Sequence, residues 1–159
     1  MQSAICKAFA QLLTIQTSQD AILQLHSAST YSTQMPQQPD FETTFTQLRE
    51  ILRPFESKLV VVSDTKNYYA LDTPHVMKNK HRMFFGGVKI GKAYVSYHLM
   101  PVYASEEVRS EISPELKKRM QGKSCFNFSA PDPKLFKELS RLTKLGFKRL
   151  TAKEFYSQF

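Results

Sequence analysis

The sequence has no tryptophan, only two cysteines and no long hydrophobic run. Cys6 and Cys125 lie far apart, so they match none of the closely spaced cysteine pairs of zinc or redox sites. This sparse use of cysteine is typical of a reducing compartment, and it predicts a cytoplasmic protein. No apolar stretch approaches the roughly 20 residues that a membrane-spanning helix needs, so we predict no membrane partner.

Acidic residues are also scarce, because 22 lysines and arginines stand against 14 aspartates and glutamates, which gives a net charge of +8. The first 39 residues contain only Lys7 and Asp20 among these charged types, so the body from Asp40 onward carries the whole excess. A basic domain attracts phosphates and other anions through its overall field. The charge therefore predicts an anionic partner without identifying it.

The N-terminal part of the chain lacks the composition of a folded domain. The segment Thr17–Pro39 is rich in Gln, Ser and Thr, which can bury little apolar surface. A targeting leader is not indicated, because this part has no arginine and no clear small-residue cleavage site. Met35 is an alternative start, which leaves open whether residues 1–34 belong to the natural protein. We predict a flexible or weakly structured tail over 1–39 and one domain over 40–159.

Hydrophobic periodicity in the body predicts a mixture of helices and strands. A first helix begins after Asp40 as its N-cap and ends near Pro54. We also predict a loop over His75–Arg82. The predicted strands are Leu59–Ser63, Tyr68–Leu71, Met83–Ile90, Lys92–Met100 and Ser124–Phe128, and the further helices are Ser113–Met120, Asp132–Gly146 and one beginning at Thr151. Strands in hairpins flanked by helices predict an α+β fold, an antiparallel sheet with helices packed mainly on one face.

The segment Gly86–Ala93 nearly matches a phosphate-binding P-loop. It fits the pattern G-x-x-x-x-G-K, but Ala93 stands where the motif needs a hydroxyl for magnesium. A P-loop also needs a helix after it, and here the alternating pattern of a strand follows. We therefore predict a strand that enters a hairpin at Gly91.

Cysteine and histidine offer two further hypotheses. Cys125 and His98 could lie on neighbouring strands and form a nucleophile pair, but free cysteine is more often a small buried core residue, which is the favoured interpretation. His75 and His81 share one loop with no carboxylate between them, so we predict no metal site and no cofactor.

The most distinctive segment is Tyr94–Tyr103, with three tyrosines and a histidine in one strand and its exit. Tyrosine and histidine combine an apolar body with a polar tip and suit a concave binding face, although a half-buried strand has the same pattern. Alternation places His98 on the less aliphatic strand face, near Lys89, where nearby cations disfavour its protonated form. The cluster Lys117–Arg119 is either a solvated surface or a phosphate-binding face.

Three segments, Phe84–Ile90, Tyr94–Tyr103 and Ile112–Phe128, resemble a group of small bacterial proteins similar to the YdhG-like domains. The resemblance covers Phe41–Phe147. It implies a cytosolic α+β domain of two layers, and it implies no catalytic residues. Some YdhG-like domains have been linked to iron handling in the manner of frataxin, which needs an acidic surface of oxygen ligands that this basic body lacks.

We expect a non-enzymatic domain that binds a small anionic molecule or an acidic protein partner. The alternatives are non-specific nucleic-acid binding, in which cations meet phosphates and tyrosines stack on bases, and a frataxin-like iron chaperone; an enzyme using His98 comes third. The sequence leaves the oligomeric state open. The predicted ligand-binding residues are Tyr94, His98, Tyr103, Lys89, Arg119 and Lys123.

Overall fold

The computed structural model describes residues 40–150, and its elements alternate between helix and antiparallel strand. The predicted tail over 1–39 and the helix predicted to begin at Thr151 lie outside the described residues. In chain order the elements are α1 (Phe41–Leu52), a short 3-10 helix (Arg53–Phe55), β1 (Val60–Asp64), β2 (Tyr68–Val76), β3 (Arg82–Ile90), β4 (Val95–Leu99), α2 (Met100–Ala104), α3 (Glu106–Ser110), α4 (Pro114–Lys117), β5 (Met120–Gln121), β6 (Cys125–Phe128) and α5 (Pro133–Leu150).

The six strands form one sheet in the order β1-β2-β3-β4-β6-β5, and every neighbouring pair is antiparallel. In β4, Val95, Tyr97 and Leu99 are buried, whereas the alternating residues Ser96 and His98 are only half-buried. The buried set packs under α1 and α5, because burial of these apolar side chains against the helices removes them from water. The predicted α+β fold is thereby confirmed.

The two long helices are fixed by caps and by an apolar stripe. The Asp40 carboxylate accepts a hydrogen bond from the Thr43 amide at 3.0 Å, and Asp132 accepts one from the Leu135 amide at 3.1 Å. Each bond satisfies an amide that has no partner inside the helix. The predicted starts of α1 and α5 are therefore confirmed.

The predicted end of α5 at Gly146 is wrong, because the helix continues to Leu150. A Cβ atom on Gly146 would lie 2.5 Å from the Cβ of Pro101 in α2. The glycine thus serves the close approach of two helices rather than a helix stop.

Other predicted bounds are also corrected. Strand β2 extends to Val76, so His75 belongs to a strand, and the helix after Ser113 ends at Lys117. The fourth strand ends at Leu99, and the chain turns at once into α2, where Pro101 occupies the first turn that proline tolerates.

The false P-loop has the predicted structure. The segment Gly86–Ile90 completes β3, and β4 returns beside it with Ile90 opposite Val95. In the turn between them the Gly91 amide donates to the Tyr94 carbonyl at 2.8 Å. No helix follows the glycines here, so the backbone cannot cradle a phosphate as a P-loop does.

Candidate functional site

The six residues predicted to bind a ligand lie in three different places. Lys89, Tyr94 and His98 belong to the hairpin of β3 and β4, while Tyr103 and Lys123 line a cavity beside α2. The sixth, Arg119, lies apart from both groups. The structure therefore does not gather them into a single face, because α2 turns the chain away immediately after β4.

A polar network joins β4, β5 and β6 on the sheet face opposite α1 and α5. The Ser96 hydroxyl donates to the Asn127 side-chain oxygen at 2.9 Å, and the Asn127 amide group donates to Gln121 at 2.8 Å. The Tyr94 hydroxyl donates to the same Gln121 oxygen at 3.0 Å. Tyr94 is thus bound within the network that ties the short edge strand β5 to the sheet.

Cys125 and His98 are direct neighbours in this face, with 3.6 Å between the sulfur and Nε2 of the ring. Cys125 is half-buried here and does not belong to the core, so the favoured core interpretation is wrong. Its polar surroundings continue through Asn127, whose Oδ1 lies 3.4 Å from the sulfur.

Burial keeps both members of this pair neutral. The pKa of His98 is lowered first by burial and then by the charge of Lys89, and burial raises the pKa of the Cys125 thiol. A nucleophilic cysteine instead needs a thiolate stabilised by a charged neighbour. The predicted position of His98 near Lys89 is confirmed, but burial lowers the pKa of His98 more than the charge of Lys89 does. The Cys125–His98 pair therefore lacks the electrostatics of a nucleophile.

A cavity of about 830 Å³ lies between α2, α3 and the hairpin of β5 and β6, and we call it the α2–β5 cavity. Its lining combines the side chains of Tyr103, Ile112 and Met120 with the basic residues Lys117 and Lys123, and the polar residues Glu106, Arg109 and Ser110 complete it on the side of α3. A concave site that joins apolar side chains to a small number of charged groups is typical of small-molecule binding.

One wall of the cavity is formed by short helices whose terminal backbone groups form hydrogen bonds with side chains. Arg109 of α3 donates to the Tyr103 carbonyl at 3.0 Å and to the Val102 carbonyl at 3.3 Å, and it pairs with Glu106 at 2.6 Å. These bonds satisfy carbonyls at the C-terminal end of α2. The Arg109 guanidinium thus holds α2 against α3 and is already occupied by protein partners.

The opposite wall is anchored to the long helix α5. Ser113 caps α4 by accepting a bond from the Leu116 amide at 3.1 Å. Glu138 of α5 accepts from both the amide and the hydroxyl of Ser113, each at 2.8 Å. This carboxylate fixes the position from which α4 presents Lys117.

The two lysines of the cavity differ from its arginine in their partners. Within residues 40–150, neither Lys117 nor Lys123 forms an ion pair with a carboxylate. The Lys123 ammonium lies 5.4 Å from the centre of the Tyr103 ring, a distance at which the ring quadrupole attracts a cation. Tyr103 remains 49% exposed, so the pair faces solvent at the cavity.

Arg119 has a separate environment. Its guanidinium lies 5.8 Å from the centre of the Phe128 ring, and it is 3.9 Å from the Asp132 carboxylate at the start of α5. It lines a shallow surface depression with Lys118 rather than the α2–β5 cavity.

Of the residues that line the cavity, sequence reasoning predicted only Tyr103 and Lys123 as ligand-binding, and it missed Arg109, Ile112 and Met120 among others. Arg109 lies in α3, Ile112 in the connection after it and Met120 in β5, and no periodic pattern connects them. Lys117 did stand out, since it opens the densest basic cluster of the chain.

Comparison of the chain with protein-family models, curated proteins and solved structures gave no match. Within the described residues, no three His, Cys, Asp or Glu side chains come together as ligands for a metal ion. No helix between Asp40 and Leu150 is both long enough and apolar enough to cross a bilayer.

Proposed function

We propose that this protein is a binding domain for a small organic anion, which it holds in the α2–β5 cavity. The observation that carries the proposal is the pair Lys117 and Lys123, two cations without a carboxylate partner among residues 40–150, in a cavity whose one lining carboxylate, Glu106, is already paired with Arg109. A cation in such a place attracts an anionic group, and bonds to charged groups are roughly twice as strong as neutral ones.

The lining indicates the kind of ligand. Tyr103, Ile112 and Met120 offer contact to an aromatic or aliphatic body, and the lysines hold a carboxylate or a phosphate monoester at its end. A volume of about 830 Å³ is within the usual range for small-molecule pockets. We therefore propose an aryl or alkyl carboxylate or phosphate as the ligand class.

The same proposal includes the resemblance to YdhG-like domains and a cytoplasmic location. The frataxin-like alternative has less support, because the described residues bring no three metal-ligating side chains together. An enzymatic role of His98 has little support, since burial keeps the ring and the Cys125 thiol neutral.

The test is binding of phenyl phosphate and benzoate, with the neutral benzyl alcohol as a probe of the apolar wall alone. At a concentration of ten times its Kd, a ligand stabilises the protein by about 1.4 kcal/mol, which raises the Tm by about 4 °C. We expect phenyl phosphate to give such a rise and benzyl alcohol to give none.

Single alanine variants test whether phenyl phosphate binds in the α2–β5 cavity. Lys117→Ala or Lys123→Ala should each weaken phenyl phosphate binding about tenfold or more, since a hydrogen bond to a charged group contributes about 1.5–3 kcal/mol. Lys118→Ala is the matched control, because Lys118 has the same charge beside Lys117 and lines a different depression. Equal losses in all three variants would mean that only net charge matters and would refute the site.

A further inference from the structure

The exposed positions of α5 are basic, and Glu138 and Ser140 lie half-buried between them. Beyond Pro133, every exposed position of this helix is a lysine or arginine: Lys134, Lys137, Arg141, Lys144, Lys148 and Arg149. The helix contains one acidic residue, Glu138, and that carboxylate is turned onto Ser113. The surface of α5 therefore concentrates a large share of the charge excess.

Four of these residues form a line, which we call the α5 basic stripe: Lys134, Lys137, Arg141 and Lys144. Their spacing of three and four residues places them on one side of the helix, and at 1.5 Å per residue they span about 15 Å. Like charges at this spacing repel one another, so the stripe costs stability unless an anion lies over it.

The three lysines of the stripe are available to a partner. Arg141 pairs with Glu111 at 2.5 Å and donates to the Glu111 carbonyl at 2.7 Å. Lys134, Lys137 and Lys144 form no ion pair with any carboxylate in the described stretch from Asp40 to Leu150. The stripe thus offers about three uncompensated charges in a row.

The other side of α5 excludes one class of partner. Its apolar residues, among them Leu135, Leu139 and Leu142, are buried against the sheet and the other helices. A helix that binds a membrane surface inserts its apolar face into the lipid, and here that face is already occupied. The partner must therefore be recognised through charge alone.

We propose that the α5 basic stripe binds the phosphate backbone of nucleic acid without reading its bases. Phosphates present regularly repeating negative charges along a line, 3.4 Å apart along each strand of a duplex, whereas an acidic peptide has no fixed repeat. α5 contains no tyrosine, and its phenylalanines pack inward, Phe136 against Phe128 and Phe147 against Phe55 and Phe85. The surface of α5 therefore offers no aromatic ring on which a base could stack.

This inference goes beyond the binding of a small anion, and it concerns other residues. None of the stripe residues lines the α2–β5 cavity. Loss of one activity therefore leaves the other intact, and variants in each place separate the two.

The experiment measures binding of the full chain to a fluorescent 20-base-pair duplex by anisotropy between 50 and 200 mM salt. Three phosphate contacts predict that log K falls with log salt at a slope of about −2.7, which is a loss of about 40-fold over this range. Two duplexes of unrelated sequence should give the same affinity.

The variant Lys137→Ala/Lys144→Ala should reduce the slope to about −0.9, so that affinity falls only about 3-fold over the same range. The matched control is Lys66→Ala/Lys92→Ala, which removes the same charge from two exposed turns of the sheet. We expect the control to keep the parental slope. All four positions are exposed, and a thermal melt of each variant confirms that the fold is intact.

Three results would overturn the proposal. The first is no binding of the duplex at 50 mM salt. The second is an equal change of slope in the stripe variant and its control, which would mean attraction by net charge only. The third is binding of polyglutamate or of phosphatidylserine vesicles more tightly than of the duplex, which would assign the stripe to an acidic protein or to a membrane surface.

Discussion

A buried hydrogen bond between β4 and α5 allows a quantitative test of how the sheet is held to its long helix. The Tyr97 hydroxyl and the Thr143 hydroxyl are 2.7 Å apart, and both residues are buried completely. Thr143 donates to the Leu139 carbonyl at 2.7 Å, so the proton between the two hydroxyls comes from Tyr97. Burial raises the pKa of Tyr97, which keeps the phenol neutral and able to donate.

The two single variants should differ in cost. Tyr97→Phe removes one donor and leaves Thr143 bonded to Leu139, so unfolding should become easier by about 1 kcal/mol. Thr143→Val keeps the shape but leaves the Tyr97 hydroxyl buried without a partner, which costs about 2 kcal/mol. The double variant replaces both partners by apolar groups and should lose only about 1 kcal/mol, giving a coupling of about 2 kcal/mol.

The assay is urea denaturation of the four proteins, supported by thermal melts in which 1 kcal/mol corresponds to about 3 °C for a chain of this size. Tyr94→Phe is the control, since its hydroxyl bond to Gln121 is exposed and should be worth less than about 0.5 kcal/mol. Additive losses from Tyr97→Phe and Thr143→Val would refute the reasoning, because they would mean that the two hydroxyls do not depend on each other.

Two further predictions concern His98 and Gly146. Because the pKa of His98 is lowered below its ordinary value of 6.5, its contribution to stability is complete above that pH and is lost as the pH falls through the folded-state value. The free energy of unfolding should therefore fall less between pH 7.5 and 5 in His98→Gln than in the parent, and an unchanged slope would contradict this. Gly146→Ala should lower the Tm, because overpacking against Pro101 costs about 1–3 kcal/mol while alanine returns about 1 kcal/mol of helix propensity. A higher Tm would mean that α2 moves aside easily.

The elements that sequence reasoning predicted well have a local signal. Strand β4 alternates buried and half-buried residues along its whole length, and the caps Asp40, Ser113 and Asp132 each bond to an amide three residues later. Such signals depend on side chains near in sequence, which explains why they can be read without the fold.

The errors occur where contacts between residues far apart in sequence determine the local structure. Gly146 has the form of a helix stop, but its role depends on Pro101, which lies far away in sequence. Likewise Tyr103 follows His98 closely in the chain, yet α2 carries it to another surface. The α2–β5 cavity could not be predicted, since its wall requires the bonds from Arg109 to α2 and from Glu138 to Ser113.

Arginine and lysine have different tasks in this domain, and this difference supports both proposals. Arginine supplies the cation in all seven ion pairs between described residues; three of these pairs are local, and the other four join residues distant in sequence. The lysines of the α2–β5 cavity and of the α5 basic stripe take no part in these pairs. Lysine is a compact charge on a flexible stem, so it keeps its attraction for an external anion at little cost to the fold. The positive charge available to an external anion is thus carried by lysine. Replacing the lysines of the cavity and of the stripe should weaken binding of partners, whereas replacing the paired arginines should first reduce stability.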